Sequence, residues 1–177
     1  YGDWSSDVCS SDLKKPVIAA VQGPAVGGGL GLAMMADFRI ACPEARFSAN
    51  FNRLGFHPGF GLSVTLPRVI GIQKASQMFY SGRRVQGEEA LTMGLVDSLV
   101  AKEKLVDAAL EMAYEIAASA PIAVQSTRAT LRAGLADAVR EATNHEGMEQ
   151  SRHYLTEDFK EGVKAMAERR SPVFQGR

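Results

Sequence analysis

Three consecutive glycines, Gly27-Gly28-Gly29, carry the clearest chemical potential in this 177-residue chain. They follow Lys15-Pro16 and the apolar run Val17-Ile18-Ala19-Ala20-Val21, and they precede an Ala-, Leu- and Met-rich stretch from Leu30 to Ala36. A strand that turns through glycines into a helix leaves backbone N–H groups unpaired at the helix start, where the helix dipole also favours an anion. With no side chains there, a ligand can come close to the backbone. Several anion frames do not fit. No Lys follows as a phosphate loop requires, and the third glycine of a dinucleotide fingerprint counted from Gly29 would fall on Met34. A nucleophile elbow needs a Ser between glycines, and none is present. Two readings stay open: a site for an oxyanion formed in acyl chemistry, which backbone donors alone can stabilise, or a turn that only packs a helix tightly on a strand.

Few other groups offer chemistry. His57, in Leu54-Gly55-Phe56-His57-Pro58-Gly59, is either a base able to titrate near neutral pH or a residue that holds its loop by hydrogen bonding. Asp37 reads as a cap or a partner for Arg39, and His145 and His153 as exposed or interfacial residues of a late helix. Met34, Met35 and Met78 suit a core or a pocket lining. Cys9 and Cys42 have neither metal-ligand spacing nor a disulfide framework, so no metal site is expected.

The elements that must position these residues alternate at first and then become helical. Val17–Val21 has the continuous apolar character of a strand buried on both faces. Phe38–Ala41 and Arg46–Ala49 predict two more strands, and residues 50–61 a long loop rich in Gly, Pro and Asn. Short helices are expected over 62–70, 74–80 and 87–93, the last stopped by Gly94, with strand character returning at 95–100. Leu105, Ala109, Met112 and Ile116 form one stripe of a helix over 102–118. Pro121 suits a first helical position, and the remainder is helical, with Thr156 able to cap after a break. This order predicts an α/β core with a helical carboxyl-terminal extension.

Composition is that of a globular domain: 46% hydrophobic, 23% charged and no net charge. Nothing in that balance points to nucleic acid or a membrane surface, and no apolar run reaches membrane-spanning length. A cytoplasmic protein is the expectation. Residues 1–13, YGDWSSDVCSSDL, lack strand or helix periodicity and repeat a Ser-Ser-Asp unit. They are expected to be a non-native leader that replaces the true amino terminus. The resulting partial core is expected to be inactive and poorly soluble.

The segment Lys15-Pro16-Val17-Ile18-Ala19-Ala20-Val21-Gln22-Gly23-Pro24-Ala25-Val26-Gly27-Gly28-Gly29, with Leu32-Ala33-Met34-Met35-Ala36-Asp37, resembles the central signature of the crotonase (enoyl-CoA hydratase/isomerase) superfamily. The likeness continues in Ala45-Arg46-Phe47, Leu66-Pro67-Arg68-Val69-Ile70-Gly71, Gly94-Leu95-Val96-Asp97 and Glu168-Arg169-Arg170-Ser171-Pro172-Val173-Phe174, and so spans Lys14 to Arg177. The resemblance implies a ββα spiral core, here partial (residues 14–118), and a helical oligomerisation region (residues 119–177) that builds homotrimers or hexamers. It implies an acyl-CoA substrate, with coenzyme A arriving as part of that substrate and no separate cofactor. The thioester oxygen would accept a hydrogen bond from the Gly28 N–H, its second donor coming from an upstream segment. Ala25, Gly27, Gly29 and Phe51 would line the substrate site, and Arg169 would approach the CoA phosphates.

The two positions at which a hydratase of this superfamily carries carboxylates read Gly31 and Phe51. Neither transfers a proton, so ordinary two-carboxylate hydration is not expected. The leading expectation is an enzyme that stabilises a thioester enolate oxyanion. The alternatives are thioester hydrolysis, decarboxylation or C–C cleavage with His57 as base, or an inactive acyl-CoA-binding subunit.

Overall fold

The computed structural model describes residues 13–177; the expected leader over residues 1–13 lies outside them except for Leu13. Two small sheets form the core. Strands β1 (Ile18–Val21), β3 (Phe38–Ala41) and β6 (Ser98–Leu99) make one, in the order β1-β3-β6, all parallel. Strands β2 (Pro24–Val26), β4 (Arg46–Ser48) and β5 (Val85–Gln86) make the other, with β2 and β4 parallel and β4 and β5 antiparallel. Ile18 pairs with Phe38 in the first sheet while Ala25 pairs with Phe47 in the second. The β1/β2 and β3/β4 pairs therefore each step from the first sheet to the second before the next helix begins, which is the expected spiral of ββα units.

Helices follow where the sequence stops alternating. They are α1 (Gly28–Met34), α2 (Leu62–Ile70), α3 (Ile72–Ser81), α4 (Gly87–Thr92) and α5 (Leu105–Ala117), then α6 (Pro121–Leu131), α7 (Leu135–His153) and α8 (Glu157–Ala167). Gly94 has φ 79°, the left-handed conformation anticipated just past α4. Thr156 caps α8 as expected, its hydroxyl accepting from the Phe159 N–H at 3.1 Å. Phe47, Leu30, Leu62, Leu66, Met78 and Leu95 are fully enclosed between the sheets and α1–α4. Each contributes about 1.5–3 kcal/mol of burial.

One expectation is corrected and one is extended. β1 is not buried on both faces: it lies at a sheet edge, with Ala20 exposed. Its apolar run is needed only on the side where α5 packs. Asp37 meets the Arg39 side chain through its backbone, its carbonyl accepting from Arg39 Nη2 at 3.5 Å. Arg39 is buried and donates from Nε to the Leu95 carbonyl and from Nη1 to the Ala36 carbonyl, both at 2.9 Å, with Asp97 as its acidic neighbour at 3.7 Å. Burial pulls its pKa down, against the opposing pulls of Asp97 and Asp37.

Asp37 also joins the helical extension to the sheet. Its carboxylate accepts from Arg128 Nε at 2.8 Å, Arg132 Nη1 at 3.0 Å and the Val17 N–H at 2.8 Å. The side chain is 15% exposed, so the pairs are only weakly screened. Removing the carboxylate leaves two guanidinium groups of α6 and its end without their acid. Asp37→Ala is expected to destabilise the chain by about 2–4 kcal/mol in denaturant unfolding, with Asp37→Asn intermediate.

The last residues fold back on α8. Arg170 bonds both oxygens of Glu161, whose Oε1 also accepts from the Val173 N–H at 2.9 Å. Those bonds pull the Glu161 pKa from its ordinary 4.5 down to about 2, and the same pair raises that of Arg170. A depressed acid stabilises above its unfolded pKa, and the gain disappears as pH falls through the folded one. The Val173 amide resonance is therefore expected to hold its position from pH 7 to about pH 4 and to move only as pH approaches 2. A midpoint near 4.5 in an NMR titration would contradict this.

Candidate active site

Gly27 adopts φ 55°, a left-handed geometry that costs a residue with a side chain about 1 kcal/mol or more. Its N–H donates to the Ser48 carbonyl at 2.9 Å, tying the turn to the end of β4. The Gly31 N–H donates to the Gly27 carbonyl at 3.1 Å and closes the first turn of α1. The N–H groups of Gly28 and Gly29 come before that bond and have no carbonyl one turn back to satisfy them. The helix thus starts at Gly28, two residues earlier than the composition suggested, and it is the glycines that present the free donors.

Phe51 and Ala25, both expected at the substrate site, are buried in the core at 5% exposure. The Phe51 ring tip lies 3.8 Å from where a Cβ on Gly27 would stand, and its ring meets Phe56 edge-on at 5.5 Å. Phe51 therefore supports the turn from within the core. Gly29 is exposed, and with Leu32, Ala33 and Lys102 it lines a groove along β1 and β2.

A residue that sequence reasoning passed over stands closer than any of these. The Phe60 ring lies across α1, so that a Cβ on Gly28 would sit 2.6 Å from Phe60 Cζ and a Cβ on Gly31 would sit 2.6 Å from Phe60 Cβ. Positions 28 and 31 lie on one helix face. Gly-x-x-Gly on that face was the available signal for close approach of another group. Phe60 itself holds φ 63°.

The loop bearing Phe60 is fastened to α7. Glu146 is 1% exposed and accepts from the Gly61 N–H at 2.8 Å, the Ser63 N–H at 3.1 Å and the Ser63 hydroxyl at 2.6 Å. His57 belongs to the same fastening. Its N–H donates to His153 Nδ1 at 3.0 Å, its carbonyl accepts from Gln150 Nε2 at 2.9 Å, and its ring stacks 6.4 Å from His153 and meets His145 edge-on. His57 Nδ1 lies 2.8 Å from the Pro58 carbonyl and so carries the proton. The structure brings Gly27, Gly28, Phe51 and Phe60 together and directs His57 toward α7. Arg169 occupies an exposed left-handed turn, φ 54°, that ends α8. Among the described residues no helix is long and apolar enough to cross a membrane, and no cluster of three His, Cys, Asp or Glu could hold a metal.

Staggered ββα units and a glycine turn opening a helix define the crotonase class of fold, and comparison with known proteins agrees. The profile of the enoyl-CoA hydratase/isomerase family matches residues 8–177. Similar solved structures include carnitinyl-CoA hydratase from Mycobacterium avium, with TM-score 0.86 and 32% identity over 93% of this chain and 64% of that one. Another is an enoyl-CoA hydratase/isomerase from Pseudoalteromonas atlantica T6c, with TM-score 0.85 and 30% identity over 97% and 68%. Carnitinyl-CoA dehydratase of Citrobacter koseri is 38% identical over 170 residues, which are 94% of this chain and 65% of that protein. The chain belongs to the enoyl-CoA hydratase/isomerase family and spans about 65% of the length of the curated relatives it matches.

Glu146→Ala leaves the Gly61 and Ser63 donors without their acceptor and is expected to cost about 2–4 kcal/mol. Glu149→Ala, which removes a partly buried i,i+3 partner of the exposed Arg152 on the same helix, is expected to stay within about 0.5 kcal/mol. Denaturant unfolding of both variants checks the contrast.

Proposed function

We propose that this chain carries the acyl-CoA site of an enoyl-CoA hydratase/isomerase family enzyme, in which the Gly28 N–H donates to a thioester oxygen as it becomes an enolate oxyanion. The observation that supports the reading most is the free donor at the start of α1, held by the Gly27–Ser48 bond at the end of a two-sheet step. A backbone donor fixed before the reaction loses nothing to reorganisation, and one such donor is worth about 10²–10³ in rate. Coenzyme A enters as part of the substrate, with no further cofactor. An exposed arginine at position 169 suits its phosphates chemically. Assembly as a homotrimer or hexamer through α6–α8 belongs to the same proposal.

Ordinary hydration of an enoyl thioester is not the reaction we assign. Gly31 and Phe51 offer no acid or base, and Phe60 fills the face of α1 from which a side chain at position 31 would project. Of the other chemistries, those using His57 as base are weakened by the packing of its ring against His145 and His153 on α7, away from the glycine turn. The relatives named for carnitinyl-CoA support a CoA thioester as the substrate class; adding water and removing it need the same proton-transferring groups, so their dehydratase and hydratase names do not carry the reaction over to this chain. An acyl-CoA-binding subunit without turnover is the second reading, favoured by the two missing carboxylates.

Incubation with crotonyl-CoA, 3-hydroxybutyryl-CoA and malonyl-CoA, with products separated by chromatography, distinguishes these. Binding of thioesters with no rapid water addition to crotonyl-CoA is the expected result. Turnover lost in His57→Ala would move the base role to His57. Fast crotonyl-CoA hydration would overturn the assignment.

A further inference from the structure

Phe60 stands in an unusual combination of states. It is a bulky residue at φ 63°, a conformation costing about 1–3 kcal/mol unless its surroundings enforce it. The next residue, Gly61, donates to fully buried Glu146, and Ser63 gives the same carboxylate two more bonds, so the backbone around Phe60 has little freedom to relax. The Phe60 side chain occupies the space that a Cβ at position 28 or 31 of α1 would need, yet the residue remains 49% exposed. An aromatic ring held under strain, half covered by the donor helix and half open, has no packing role that a smaller residue would not fill at lower cost.

We propose that Phe60 sets the substrate class of this site: its open face gives the acyl group of a thioester an apolar surface, in the space where a side chain at position 31 would otherwise hold a proton and a water. The proposal rests on the acyl-CoA reading above and deepens it. Gly31 then becomes the residue that makes room for the ring, so Gly31 and Phe60 form a single device. Thioesters with an apolar acyl chain are favoured, and conversions that require an incoming water at this face are disfavoured. The Gly28 donor is only a few ångströms from the ring, which places the apolar surface beside the carbons next to the thioester carbonyl.

Calorimetric titration with hexanoyl-CoA, succinyl-CoA and free CoA tests this on the intact chain and on Phe60→Ala, Phe60→Leu and Gly31→Ala. The unaltered chain is expected to prefer hexanoyl-CoA to free CoA. Phe60→Ala is expected to weaken hexanoyl-CoA about tenfold, through lost apolar contact, with free CoA unchanged. Phe60→Leu retains most of the preference and guards against a folding defect. Gly31→Ala displaces the ring and lowers hexanoyl-CoA affinity in the Phe60 background but adds nothing in the Phe60→Ala background. Equal weakening of free CoA, or independent effects of the two substitutions, would overturn the proposal. If the unaltered chain shows no preference for hexanoyl-CoA, the acyl-CoA reading itself fails. If the preference survives Phe60→Ala, only the role of Phe60 fails.

Discussion

The carboxylate of Glu146 and the three donors it gathers from Gly61 and Ser63 are what the geometry of the site depends on. A buried carboxylate is costly unless its oxygens are bonded, and each N–H turned toward it would be costly without it. The interaction therefore holds from both sides. It is reached because Val139, Thr143, Glu146, Gln150 and His153 recur three or four residues apart and face one way along α7. All of that stripe but Val139 is polar, and Glu146, Gln150 and His153 bond the loop's backbone, whereas Thr143 bonds its own helix. A loop from the α/β half is thereby shaped by a helix from the extension.

The glycine turn depends on a second constraint, the step between the two sheets. β2 and β4 run side by side, so the Ser48 carbonyl arrives beside the Gly27 N–H at the point where the chain leaves the sheet. Phe51, just beyond β4, then fills the space below the turn. Strand pairing sets the height of the donor, the core phenylalanine supports it, and Phe60 covers the adjoining helix face. Catalytic potential here is a matter of where backbone is left uncovered, with few side chains available to take a proton.

Much of this could be read in the sequence. The apolar run before Gly27, the stop at Gly94 and the cap at Thr156 are local signals, and the structure follows them. The extent of β1 burial was misread because a continuous apolar run looks the same at a sheet edge packed by α5 as in a sheet centre. Asp37 reads locally as a cap or a partner for Arg39, and Arg39 does reach its carbonyl, but its carboxylate is held by Arg128 and Arg132, more than ninety residues away, a pairing that no local pattern encodes. Gly31 was legible only as a missing carboxylate. That it makes room for Phe60 needed the loop's path, which Glu146 determines from the far end of the chain. His57 was singled out for its loop, and its actual neighbours, His145 and His153, sit on α7 for the same long-range reason.

The dependence of Phe60 on α7 also works in reverse. Any ligand that presses on the open face of the ring stabilises the loop conformation that only a docked α7 can support. By thermodynamic linkage, its binding energy is shared with the attachment of the helical extension. Occupancy of the glycine turn and the solidity of residues well over eighty positions downstream become one equilibrium.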